Sequence, residues 1–342
     1  MRNIKRQHIL SALIGLGLAA LLIWGWDNDP KPQYFHHQGK VFGTYYNIRY
    51  EATSDLEDSI RAALTAFDNS LSMFNPHSTL SAINANRDTT TDAAFETMWA
   101  EAERVYALSG GAFDVTVAPL VNYWGFGRRV AGDRHASSAQ AIDSIRAFVG
   151  FDKVQLTDHH VIKSDPRVMI DAGAVAKGQA CDMIADVLKR NGSDSYLVDI
   201  GGEVVCHGRN AKGEKWHIGI TKPNLNNEGA QEDLQDILAL SDIAMATSGN
   251  YRNYYYEGTE RRSHTIDPRT GWPVQHSLLS ATVVSSSCMR ADALATSCMV
   301  LGAEKALDMI ARAEDAACYL IVAQNDSLRV ITSQNWAKMT EK

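Results

Sequence analysis

Apolar and polar positions change rhythm several times along this 342-residue chain. Arg2, Lys5 and Arg6 precede an uncharged run from Ile9 to Trp26. As a helix that run would be about 27 Å long, close to the thickness of bilayer hydrocarbon. Residues 27–38, with Pro30 and Pro32, read as a polar tether. From Val41, "VFGTYYNIRYEA" alternates with the period of a half-buried strand, and the stretch from Leu56 to Leu71 is helical in period. A second helix is predicted over Asp92–Ser109, ending at Gly110-Gly111, and a third after Asp171, ending at Asn191-Gly192. The third presents Ala176, Ala180, Met183, Ile184, Val187 and Leu188 on one face.

Strands are expected in "SYLVDIGGEVVCHG", "KWHIGITKP" and "LSATVVSS", and hairpins about Gly258 and about Asn325-Asp326. Two helices lie between the last two of these, in "MRADALATSCMVLG" and "AEKALDMIARAE"; residues 224–236 read as an exposed loop. Strands that mostly neighbour in sequence and are interrupted by helices indicate an α+β fold, not regular βαβ winding. The expected organisation is a hydrophobic N-terminal helix over residues 1–26, a linker over 27–38 and one catalytic domain over 39–342.

Composition narrows the function. Hydrophobic residues make up 45%, enough for a sizeable core, and the net charge of −7 gives no basic field for nucleic acid. The cationic N-terminus followed by the apolar run argues for export through the inner membrane. Trp24 and Trp26 end the run like interfacial anchors, which favours an uncleaved anchor over a cleaved signal peptide. The five cysteines are odd in number and lack C-x-x-C spacing, so no disulfide framework or structural zinc is expected.

Three stretches carry candidate chemistry. In "VMIDAGAVAKGQACD" a strand runs into Asp171, then small residues, then a helix whose N-terminus suits phosphate. In "RADALATSCMVLG", Asp292 and Thr296 are four residues apart on one helical face, a hard-oxygen half-site of the kind magnesium uses, with Leu294, Cys298 and Leu301 turned to the core. In "SHTIDPRTGWPV", Pro268 and Gly271 make a rigid turn just after His264. A histidine titrates near pH 6.5 and suits a general base.

Together with "GGAFDVTVAPLVNYWGFG", "YLVDIGGEV" and "TSGNYRNYY", these motifs occur in the order found in the ApbE family of flavin transferases, which the chain resembles from about residue 40 to its last hairpin. The resemblance implies a mixed α+β fold with an FAD cleft and a Mg²⁺-dependent enzyme facing the periplasm. Such an enzyme splits the FAD pyrophosphate, releases AMP and esterifies FMN to a Thr or Ser hydroxyl. Its usual acceptors are subunits of sodium-pumping NADH:quinone oxidoreductase and Rnf-type complexes. Carried over by position, Phe42, Phe74, Ala112, Phe113, Asp114, Asp171, Lys177 and Ile266 would contact FAD. Ala174, through its carbonyl, and the Asp292 and Thr296 side chains would hold magnesium. Ala295 stands where some relatives have Asp and would offer only backbone. Lys177 stands where relatives often have an acidic residue, so direct phosphate contact is expected of it. The first cysteine is Cys181, so membrane attachment is expected from the hydrophobic run and not from lipidation. The alternatives are hydrolysis of FAD to FMN and AMP, with water as acceptor, and a non-catalytic flavin binder.

Overall fold

The structure is a computed structural model that describes residues 31–127, 137–223, 233–251, 253–325 and 327–341. The expected helix over residues 1–26 and the start of the tether lie outside the described residues. Among those that are described, no helix is long and apolar enough to cross a membrane.

In chain order, strands β1 (Gln33–Val41) and β2 (Thr44–Ala52) lead into helices α1 (Glu57–Leu71), α2 (Thr79–Asn84), α3 (Ala93–Ser109), α4 (Ala118–Tyr123) and α5 (Ala139–Arg146). The short ribbon β3 (Val154–Thr157) and β4 (His160–Lys163) precedes α6 (Ala176–Arg190). Strands β5 (Tyr196–Ile200), β6 (Glu203–His207), β7 (Trp216–Thr221), β8 (Leu234–Leu240), β9 (Ile243–Gly249), β10 (Tyr254–Glu257), β11 (Glu260–Ser263) and β12 (Leu278–Ser285) follow. The chain closes with α7 (Cys288–Leu301), α8 (Ala303–Arg312), β13 (Ala316–Gln324), β14 (Ser327–Thr332) and α9 (Trp336–Thr340).

Eight strands form one sheet in the order β1-β2-β5-β6-β9-β12-β13-β14, and every neighbouring pair is antiparallel. Period-two alternation sends its residues to two cores. Val198, Ala246, Val283 and Leu320 face the helices. Leu197, Met245, Val284 and Ile321 face a second cluster closed by Trp216 and Ile218 of the β7–β8 ribbon and by Trp336 of α9. Covered on both sides, β12 is buried along its whole length, which is why it reads as a near-continuous apolar run. Helix α7 lies across β9 and β12 and is buried on almost every side.

Local rules hold well at helix ends. Asp92 caps α3 by accepting from Phe95 N–H, and Gly110 ends it in the left-handed region at φ 63°. The helix at Leu56–Leu71 and the turn about Gly258 form where expected. Three expectations need correction. Residues 33–38 of the predicted tether belong to β1, paired in full register with β2, because "YFHHQ" alternates against a strong partner strand. "VFGTYYNIRYEA" is not one strand: Phe42 and Gly43 take positive φ (50° and 76°) and form the two-residue turn between β1 and β2. Leu234–Asp236 of the predicted loop begin β8, and 224–232 lie outside the described residues.

Candidate active site

A cavity of about 860 Å³ opens between the sheet, the start of α6, the middle of α7 and the turn after β11. That volume is in the range of small-molecule and cofactor sites. Its wall includes Phe42, Phe74, Ala112, Phe113, Asp114, Asp171, Ala174, Lys177, His264, Ile266, Asp292 and Thr296, residues scattered over 250 positions of sequence. The exception among the sequence-predicted residues is Ala295. It is fully buried, its methyl packs in the helix-side core, and it is not among the residues that line the cavity.

Close helix packing makes the charged part of the wall. Gly178, in the first turns of α6, sits against the backbone of Cys288 and Met289 at the start of α7, where a Cβ would collide with both. The contact brings the Gly178 N–H to Asp292 Oδ2 at 3.1 Å. That N–H is the donor four residues beyond Ala174, so it is turned from the Ala174 carbonyl toward a side chain. Lys177 Nζ reaches Glu203 Oε1 at 2.7 Å and lies 3.9 Å from Asp292 Oδ2. Burial works against the ammonium, but the Asp292 and Glu203 carboxylates outweigh it and raise the Lys177 pKa. Burial raises Glu203 and Asp292, with Lys177 opposing in both. Thr296 Oγ1 shares a hydrogen bond with Ser248 Oγ at 3.1 Å.

Asp171 is held by its turn, its Oδ1 accepting from Gly173 N–H at 2.7 Å, and burial raises its pKa. Asp114 has its oxygens occupied by Thr116 N–H (2.7 Å), Thr116 Oγ1 (2.6 Å) and Phe151 N–H (3.0 Å). It orders the loop that carries Ala112 and Phe113. Phe42, in its positive-φ turn, tilts against Phe67 with ring centroids 5.4 Å apart, while Phe74 is 67% exposed at the cavity lip.

His264 is held differently. Its backbone N–H and its Nδ1 both reach the Asn253 carbonyl, at 3.0 and 3.1 Å. A carbonyl only accepts, so Nδ1 carries the proton and Nε2 keeps a free lone pair. Burial lowers the His264 pKa, which keeps the ring neutral at pH 7. The following turn is tight as expected: Gly271 N–H donates to Asp267 O at 2.7 Å, Gly271 has φ 79°, and Trp124 Nε1 donates to Gly271 O at 2.8 Å.

Sequence reading missed Glu203, Ser248 and Asp199. Each comes from a strand end, and the available sign was a lone carboxylate opening the apolar strand "EVVCH". With them, the wall carries five carboxylates (Asp114, Asp171, Asp199, Glu203, Asp292) against Lys177 and Arg49. An oxygen-only set of Asp292, Thr296 and the Ala174 carbonyl, inside an acidic wall, fits a hard divalent cation.

Comparison with known proteins gives the chain a family. The model of the ApbE family matches residues 42–320. An FAD:protein FMN transferase of Vibrio cholerae is 35% identical over 283 residues, covering 80% of this chain and 83% of its own. One of Haemophilus influenzae is 36% identical over 266 residues, covering 73% and 76%. The solved flavin transferase ApbE from Vibrio cholerae superposes with a TM-score of 0.81 at 33% identity, over 90% of this chain and 99% of that one. The apo flavinyl transferase ApbE of Pseudomonas stutzeri gives 0.81 at 30% identity, over 91% and 98%.

Proposed function

The chain belongs to the ApbE family, and from that premise we propose that it is an FAD:protein FMN transferase. In this reading it moves FMN from FAD, with Mg²⁺, to a Thr or Ser hydroxyl of an acceptor protein as a phosphoester and releases AMP. The acceptors are extracytoplasmic redox subunits, of sodium-pumping NADH:quinone oxidoreductase or Rnf type, and the N-terminal apolar run holds the enzyme on the outer face of the inner membrane.

The observation that carries the reading is the charge of the wall. A diphosphate facing an acid-rich wall, in which Lys177 is already paired with Glu203, is repelled unless positive charge arrives with it. Asp292, Thr296 and the Ala174 carbonyl would hold magnesium, which when bound neutralises pyrophosphate oxygens and the charge developing toward AMP. The small residues from Ala172 to Ala174 let backbone approach the phosphates. Phe42 and Phe113 offer apolar surface to the isoalloxazine ring. His264 Nε2 takes the proton of the acceptor hydroxyl as its oxygen attacks the FMN phosphorus. Its Nδ1–H bond to Asn253 fixes the ring for that transfer.

The test incubates the protein with FAD, Mg²⁺ and a threonine-bearing acceptor domain, and weighs the acceptor. The reading predicts an adduct of one FMN per acceptor and release of AMP. Free FMN and AMP with an unchanged acceptor would make the enzyme a pyrophosphatase instead.

A further inference from the structure

Glu203 lines the cavity with only 3% of its surface exposed, yet the proposed chemistry gives it no role. The Gly201-Gly202 turn, with φ of 67° and 97°, sets it at the start of β6. Helix α6 grips it twice, one turn apart: Lys177 Nζ donates to Oε1 at 2.7 Å, and Cys181 Sγ donates to the backbone carbonyl at 3.1 Å. Its other oxygen, Oε2, is buried without a hydrogen-bond partner among the described residues. A carboxylate buried with one oxygen unsatisfied costs folding free energy, so its presence asks for another reason.

Lys177 supplies one. Its ammonium is in contact with Glu203 but 3.9 Å from Asp292 Oδ2, beyond a hydrogen bond. An ammonium seated on Asp292 would occupy the carboxylate a divalent cation needs, and one left uncompensated nearby would repel that cation. We propose that Glu203 is a positioning residue that draws the Lys177 ammonium to itself and cancels its charge, so that Asp292 stays free for the metal. The inference rests on the magnesium-dependent reading above and adds a residue that touches neither metal nor FAD.

The experiment measures Mn²⁺ binding to the purified full chain by the loss of the free-ion electron paramagnetic resonance signal, without FAD or turnover. E203Q keeps the shape and the Oε1 acceptor but removes the charge, and Mn²⁺ Kd should rise tenfold or more. K177M alone should bind Mn²⁺ more tightly than the wild type. E203Q/K177M removes both charges and should return Kd to within about threefold of wild type, by the charge balance alone. Thermal melts report whether each variant is folded, and K177M keeps the test open if E203Q is not. A wild-type Kd in folded E203Q, a defect that persists in the double variant, or weaker binding in K177M would each overturn the proposal. A wild-type protein that binds no Mn²⁺ would overturn the metal reading itself, and this inference with it.

Discussion

Lys177, Glu203 and Asp292 meet where two helices and a strand end converge, whereas His264 stands at the end of a two-stranded ribbon. Both line one cavity. The first group is placed by the core: α7 is buried on nearly every side, and the α6–α7 approach at Gly178 leaves no room for a methyl group. The second is placed by hydrogen bonds to the Asn253 carbonyl and by the Asp267–Gly271 turn. The difference teaches that the charged cluster is built into the packing of the core, while the histidine is held by hydrogen bonds and one edge-on contact with Phe126 at the rim of a smaller cluster. One wall buries titratable groups against one another; the other keeps a titratable ring neutral by burying it.

The largest effect should come from the cluster. D292N would remove the charged donor of the proposed metal set, and FMN transfer should fall by about a hundredfold or more, the scale of several kcal/mol of metal stabilisation. Acceptor mass at fixed times measures it, and a near-normal rate would erase the distinction between the two walls. H264A should slow transfer by about tenfold at least, toward the ~10²-fold and more that a positioned general base contributes, with FAD affinity unchanged. A fall in FAD affinity there would make the histidine a binding group.

The pH profile sharpens the same contrast. In the proposed mechanism the base is neutral His264, and burial lowers its pKa below the ordinary value of about 6.5. Its neutral form therefore persists as pH falls through that value, so H264-dependent transfer should hold at pH 6.5 and drop only in more acidic buffer. A limb centred at or above 6.5 would contradict the buried ring. G178A should destabilise the fold by about 1–3 kcal/mol in urea unfolding, the usual cost of overpacking, because backbone and not a flexible side chain stands in the way. The smallest effect expected is from S248A, which removes one hydrogen bond to Thr296 worth about 1 kcal/mol. Mn²⁺ affinity should fall about fivefold.

What sequence reading could see was local. Asp92 and Gly110 mark a helix by their own chemistry, Pro268 and Gly271 mark a turn, and the four-residue spacing of Asp292 and Thr296 puts both on the cavity wall. The pairing of Lys177 with Glu203 was out of reach, because it joins a helix to a strand end through packing that no local pattern encodes. Helix α7 misled for a related reason: its alanines carry little amphipathic signal, so a helix read as two-faced is buried almost all round and takes Asp292, 2% exposed, with it. Strand β1 hid in a polar segment because edge strands need little apolar residue once a partner is present.

The most direct measurement is a titration of flavin into the protein, followed by flavin fluorescence, with and without Mg²⁺. The account predicts that FAD binds and that Mg²⁺ tightens it at least tenfold, while riboflavin, which has no phosphate, binds with an affinity indifferent to the metal. Equal FAD affinity with and without Mg²⁺, or no binding of FAD at all, would contradict it.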